Sequence, residues 1–236
     1  MTSSPSGRRV AGSVARRAHQ FVQEGREPVL ARPASTVLLI RDTSSGSGIE
    51  VYIHRRHRGM AFAAGVVAFP GGGVDPGDAE VPLHDVATWM QRLGVDDEAP
   101  ARAHVAAAVR ELAEETGVVA DPAELAPWAR WITPTFEERR FDTWFFLLPL
   151  PAGLSPEDVS GETEGVAWVR PADELARADA GESVVMPPTR AMLTELADFG
   201  TVADAVTATT DRHIVTVQPD WELDGADVIL ITGGGG

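Results

Sequence analysis

The stretch Arg110-Glu111-Leu112-Ala113-Glu114-Glu115-Thr116-Gly117-Val118 sets the reading of this chain of 236 residues. At about 100° per residue, Val105, Ala108, Val109, Leu112 and Thr116 fall on one stripe, the pattern of a helix with one buried face. Pro100 suits a first helical turn and Gly117 a C-terminal stop, so the spacing predicts a helix over 100–116. Glu111 and Glu115 stand one turn apart beside the apolar stripe, and Glu114 lies further round near Arg110. Like charges at this spacing cost about 0.2–0.5 kcal/mol per pair, and the negative end of the helix dipole adds to the cost. For an isolated Glu-Glu pair a solvated charged face is the simpler reading. Hard carboxylate oxygens on a rigid face are also what Mg2+ or Mn2+ takes, with water and phosphate filling the remaining positions.

Upstream, Thr36 to Ile40, Ser44 to Gly48 and Ile49 to Ile53 read as strand, turn and strand. Val66 to Phe69 is a third short strand, closed by Pro70 and the glycine run Gly71 to Gly73, whose bare backbone lets a metal or a phosphate approach. A helix is expected around 83–93. Downstream, strands are expected at 129–132, 142–148 and 166–170, helices at 171–178 and 188–199, and late strands at 213–217 and 228–231. This alternation predicts a mixed α/β (α+β) domain, one sheet with helices packed on it.

Composition narrows the chemistry. There is no cysteine, hence no disulfide, thiolate nucleophile or Cys-ligated metal. All 20 basic residues are Arg, so lysine Schiff-base and lysine-nucleophile chemistry are excluded. A net charge of −15 opposes sequence-independent binding of duplex nucleic acid, and an anionic substrate would need local cations. No apolar run approaches the roughly 18–20 residues of a membrane span. No adequate apolar stretch follows Arg8-Arg9 to make an export signal. A cytoplasmic protein without a membrane or nucleic-acid partner is expected.

Taken together, Phe69-Pro70-Gly71-Gly72, the acidic Asp78 and the nine residues 110–118 resemble the signature of the Nudix hydrolases. The helical half matches at every specified position, and the resemblance covers residues 35 to about 200. It implies a Nudix-type mixed sheet sandwiched between helices. It also implies a diphosphatase using Mg2+ or Mn2+ on a nucleoside diphosphate linked to another group, of the CoA-like, ADP-sugar, dinucleotide or nucleoside triphosphate kind. The alternative is a Nudix-like module that senses a nucleotide without turnover. By the same resemblance the Gly71 carbonyl, Glu111 and Glu115 are metal ligands, and Glu114 is a further ligand or orients the metal-bound water. Arg110 holds the helix carboxylates through an ion pair with Glu114. Glu164, in the loop that also carries Glu162, is one candidate general base, and a homodimer is within the family's habit.

Two features depart from the family pattern. Asp78 stands where Glu is usual, and 31 residues, Ala79 to Val109, separate it from Arg110 where the pattern has seven. A longer loop costs little extra closure entropy, and the excess is read as an insertion at about 79–99. Branches similar to coenzyme A diphosphatases carry an insertion at this place. Their signature, however, would want Arg where Ala61 stands, so only Gly65-x-x-x-Phe69-Pro70-Gly71-Gly72 fits.

In an acidic protein, Arg139 and Arg140 are natural clamps for a diphosphate, with a surface turn paired to Glu137 or Glu138 as the even alternative. Arg55 and Arg58 are further candidates for substrate phosphate. His54 and His57 read as a polar strand end at the rim of the site, and His19, His84, His104 and His213 carry no partner pattern. The expected organisation is a basic arm over 1–33, the Nudix-like domain over 34–210, and C-terminal strands with a glycine tail over 211–236.

Overall fold

The computed structural model describes residues 7–56, 66–159 and 163–232. In chain order the elements are β1 (Gly7–Val10), α1 (Ser13–Gln23), β2 (Arg32–Asp42), β3 (Ile49–Arg56), β4 (Val66–Ala68) and β5 (Gly71–Gly73). A 3-10 turn (Pro76–Glu80) leads to α2 (Val86–Leu93), α3 (Glu98–Thr116), β6 (Ala126–Ile132), β7 (Phe141–Pro149) and β8 (Thr163–Val169). Then come α4 (Pro171–Asp179), β9 (Val184–Val185), α5 (Pro187–Leu196), α6 (Val202–Thr207), β10 (Thr216–Val217), β11 (Asp220–Asp224) and β12 (Asp227–Ile231). The mixed α/β class follows directly.

The chain divides into two compact units. The larger is built from Ala34–Trp128 and Trp144–His213. Its sheet runs β7, β2, β3, β4, β9, with β5 paired to β2 and β8 to β3. The β2–β3, β2–β5, β3–β4 and β3–β8 pairs are antiparallel, and β4–β9 is parallel. Val37, Leu38, Leu39 and Ile40 of β2 and Val51, Tyr52 and Ile53 of β3 are buried, as are Val105, Ala108 and Leu112 of α3. Apolar runs of this kind suit strands covered on both faces.

The smaller unit draws on Met1–Pro33, Ala129–Thr143 and Ile214–Gly236. Residues 7–33, expected as a basic arm, contribute β1, which pairs antiparallel with β12 from Gly7↔Ile231 to Val10↔Val228, and α1, which buries Ala15 and Ala18. Phe136, Val228 and Leu230 complete that core, with Val10, Val14, Phe21 and Trp221 packed against it. Val22 of α1 is exposed.

Several elements differ from the sequence expectation. The glycine run does not merely end a strand: it is itself β5, in register with β2 as Ala34↔Gly73, Ser35↔Gly72 and Thr36↔Gly71. Helix α3 begins two residues before Pro100, at Glu98, where an acid in the first turn favours the positive end of the dipole. It ends at Gly117 as expected, with that residue left-handed at φ 71° and its N–H bonded to the Ala113 carbonyl. Helix α5 stops at Leu196, short of Phe199. Strand β1 and helix α6 carry no clear apolar pattern, and the sequence does not announce them; β11 does alternate, with Trp221 and Leu223 between acids.

Gly71 is one place where this run cannot carry a side chain. A Cβ there would stand 2.4 Å from the Ser35 carbonyl oxygen and 2.6 Å from the Thr36 Cα, both main-chain atoms of β2. At Gly73 a Cβ would meet nothing within 4 Å. Gly71→Ala should therefore cost about 1–3 kcal/mol in urea unfolding by prying β5 from β2, while Gly73→Ala should unfold close to the wild-type midpoint.

Candidate active site

Helix α3 is fixed against β2 by a buried polar contact. The Ser35 hydroxyl donates to the His104 carbonyl at 2.8 Å and lies 3.2 Å from the His104 Nδ1. His104, which carries no partner pattern in the sequence, is thus a buried docking residue, and its ring packs edge-on to Trp144. At the other end of α3 the segment before β8 caps the helix: Glu157 N–H donates to the Thr116 carbonyl and Val159 N–H to the Glu115 carbonyl. These bonds satisfy carbonyls that a helix end leaves without partners.

Between these anchors, Arg110 gathers the acidic cluster. Its Nε and Nη2 donate to the two Asp78 oxygens at 3.1 and 2.9 Å. Its Nη2 also donates to the Gly73 carbonyl at 2.9 Å. Its Nη1 donates to Glu111 at 2.8 Å and to Glu114 at 3.2 Å. The expected Arg110–Glu114 pair is present, and Asp78 keeps its partnership with Arg110 despite the residues between them. The intervening segment carries α2 and the start of α3. Residues 98–109 form the first turns of α3, which run back towards Asp78, and α2 is pinned by Trp89 packing edge-on to Phe146.

Asp78 is buried, with its side chain 5% exposed. Burial alone would raise its pKa, but the Arg110 hydrogen bonds and the Asp75 N–H together hold it below the usual aspartate value. Arg110 is pushed above the ordinary guanidinium range, chiefly by its hydrogen bond to Asp78. Glu111 is raised, first by burial, with Glu114 and Asp75 adding to the rise and Arg110 opposing it. A carboxylate in such a place gains from added positive charge.

Two glutamates lie against the glycine strand. The Gly71 N–H donates to Glu115 Oε2 at 2.9 Å. A Cβ on Gly72 would stand 2.5 Å from the Glu111 carboxylate. Gly72 therefore makes the room that Glu111 occupies. Glu114 differs: its side chain is 58% exposed. Among the described residues no three carboxylate or imidazole side chains are gathered closely enough to hold one ion.

The other expected residues are placed as follows. Arg55 forms a two-pronged ion pair, 3.2 and 2.8 Å, with the fully buried Glu174 of α4, so its guanidinium is committed within the fold. Arg139 and Arg140 belong to the smaller unit. Arg140 is buried there and donates to the Thr133 and Val29 carbonyls at 3.0 and 2.7 Å. With Val29, Leu30, Arg32, Glu138 and Phe141, these two arginines line an open cavity of about 640 Å³. Glu137, weighed as a surface-turn partner for them, is instead taken by Arg17 at 2.6 and 2.9 Å. The backbone of Glu164 lies in β8. Arg58, His57, Glu162, Ala61, Gly65 and the glycine tail lie outside the described residues.

Sequence reasoning misses His54. Read as a polar strand end at the rim, it is buried, with its Nδ1 3.4 Å from Glu115 Oε2. A signal is present: His54 continues the run Val51-Tyr52-Ile53, which is buried throughout.

Residues 98–187 match the model of the NUDIX domain, a span from the start of α3 into α5. In a crystal structure of a NUDIX hydrolase from Alicyclobacillus acidocaldarius, 96% of the chain is covered by 76% of this one, with 28% identity and a TM-score of 0.62. An acyl-coenzyme A diphosphatase of Gallus gallus, NUDT19, is 25% identical over 146 residues, which are 59% of this chain. The match spans about a third of that relative's length, 36%. The fold and the acidic helix held against a glycine strand are thus what this chain shares with such proteins. Over residues 98–187 the chain is similar to the NUDIX domain, and in fold it is similar to a solved NUDIX hydrolase. Among the described residues no helix is long and apolar enough to cross a membrane.

The depressed Asp78 carboxyl has a definite pH signature. Its ionised form stabilises the fold fully above its unfolded pKa of about 4, and that stability is lost as pH falls through the lower folded value. Asp78→Asn should cost about 1–3 kcal/mol at pH 7. The gap between variant and wild type should narrow as urea titrations are taken below about pH 4; a gap constant with pH would remove the Asp78–Arg110 pair from the account.

Proposed function

We propose that the larger unit carries a metal-dependent diphosphatase site, with Glu111 and Glu115 as principal metal ligands beside the main chain of Gly71 and Gly72. The observation that carries this reading is the contact of both carboxylates, one helical turn apart, with the same glycine strand. The donor set fits Mg2+ or Mn2+: both carboxylates are hard ligands on a rigid helix, and such ions keep several positions for water and substrate oxygens. When bound, the ion would neutralise charge on the diphosphate and lower the pKa of coordinated water.

The chain's own residues divide the remaining work. Arg110 keeps Glu111 and Glu114 side by side, neutralising a repulsion that would otherwise splay them. Glu114, the most exposed of the three, is suited to orient or deprotonate water, and Glu164 is the alternative base. The Gly71–Gly72 backbone leaves space for a phosphate to come close.

A nucleoside diphosphate linked to a further group is the substrate class. Coenzyme A derivatives head the list, since the similar avian protein is an acyl-coenzyme A diphosphatase by name and the insertion after Asp78 agrees with such branches. ADP-sugars, dinucleotides and nucleoside triphosphates complete the panel. The intact trio Glu111, Glu114 and Glu115 favours turnover over nucleotide sensing.

The test is incubation of the whole chain with each compound and Mg2+ or Mn2+, with products identified by mass. One substrate should be split at its diphosphate, EDTA should stop the reaction, and Glu115→Gln should slow it at least about a hundredfold. Turnover indifferent to EDTA and to Glu115→Gln would overturn the assignment.

A further inference from the structure

His54 lies where β3 is paired on both sides, opposite Ala68 of β4 and Val166 of β8. A side chain on a strand held from both flanks has little backbone freedom. The ring is confined as well: Tyr52 packs edge-on against it at 5.5 Å with an interplanar angle of 78°, and Tyr52 is itself backed by Trp168 at 5.4 Å. Both Tyr52 and His54 are buried. From this fixed ring Nδ1 stands 3.4 Å from the Glu115 oxygen that also accepts the Gly71 N–H at 2.9 Å. One carboxylate oxygen is thus bracketed by a main-chain amide and an imidazole, each on a different strand.

We propose that His54 is a positioning residue of this site, holding Glu115 through Nδ1 in the one orientation that lies along Gly71, with Tyr52 keeping the imidazole in place. The inference rests on the reading of Glu115 as a metal ligand. It adds a residue outside the acidic helix to the machinery that sets the ligand's geometry. Glutamate has three rotatable bonds, and an ion needing near-ideal octahedral geometry selects strongly for a ligand already in place. Partners behind metal ligands commonly contribute 10- to 100-fold in metal affinity or activity, an order-of-magnitude range.

The experiment uses the full chain and its His54→Ala, His54→Asn, His54→Gln, Glu115→Gln and His54→Ala/Glu115→Gln variants. Mn2+ binding is measured by the loss of the free-ion electron paramagnetic resonance signal, beside kcat and KM on the substrate the wild type splits. Asn carries its amide where Nδ1 stands, and Gln carries its amide where Nε2 stands. The expected result is Mn2+ affinity about tenfold weaker in His54→Ala, a lower kcat at unchanged KM, recovery in His54→Asn and none in His54→Gln. In the Glu115→Gln background, His54→Ala should cause no further loss.

Wild-type Mn2+ affinity in His54→Ala would overturn the proposal, as would an equal loss with and without Glu115. Should His54→Ala fail to fold, the contrast of Asn with Gln decides: equal behaviour of two folded variants overturns it. A wild type that neither binds Mn2+ nor splits any compound overturns the proposed function itself, an outcome distinct from a working enzyme indifferent to His54.

Discussion

The five N–H groups of the Arg110 guanidinium hold the site together. They reach both oxygens of Asp78, one oxygen each of Glu111 and Glu114, and the carbonyl of Gly73. Three carboxylates and a strand are fixed by one planar group, and no point charge on a flexible stem could present donors to so many acceptors at set angles. Without that group, the acids at the negative end of α3 would repel one another and the helix dipole together. The cluster that looks like a local error in the helix is coherent once Asp78, from beyond the helix, supplies the anchor against which Arg110 is braced.

Much of this arrangement is legible in the order of residues alone. Local signals are strong for α3: an apolar stripe, a glycine stop and acids at fixed spacing. The glycine run is recognisable as a place of close approach, because Gly71 and Gly72 have no other evident reason to adjoin Pro70. Contacts that join distant parts of the chain are not legible. Nothing in the neighbourhood of Arg55 announces that Glu174 will bury itself against it, and nothing around Arg140 announces the carbonyls of Thr133 and Val29. In both places a guanidinium that reads as waiting for phosphate is engaged by the fold, for an arginine taken out of water must direct its donors to whatever acceptors stand nearby. His54 is misjudged for a related reason. Its polarity suggests a rim, while the register of β3 between β4 and β8 puts it inside.

The long separation between Asp78 and Arg110 shows how spacing rules can be broken without cost to geometry. A short connection would deliver Arg110 to Asp78 directly. Here the chain leaves through the turn at Pro76–Glu80, buries Trp89 and Leu93 of α2, and returns along an α3 begun early at Glu98. A helix advances about 1.5 Å per residue in a fixed direction, so the twelve residues before Arg110 act as a ruler laid back towards their origin. The motif survives as an arrangement in space although it is stretched in sequence.

The smaller unit has a different relation to the order of the chain. Its strand pairing sets Gly7 opposite Ile231, and its helix packs on residues near 136 and 228. Its strands β1 and β12 stand at residues 7–10 and 227–231, whereas β2, β5 and α3 all lie within residues 32–116. Contacts so far apart in sequence close slowly. The acidic face of α3 can therefore take shape from near neighbours, while the seam between β1 and β12 must be sewn across the long stretch of sequence between them.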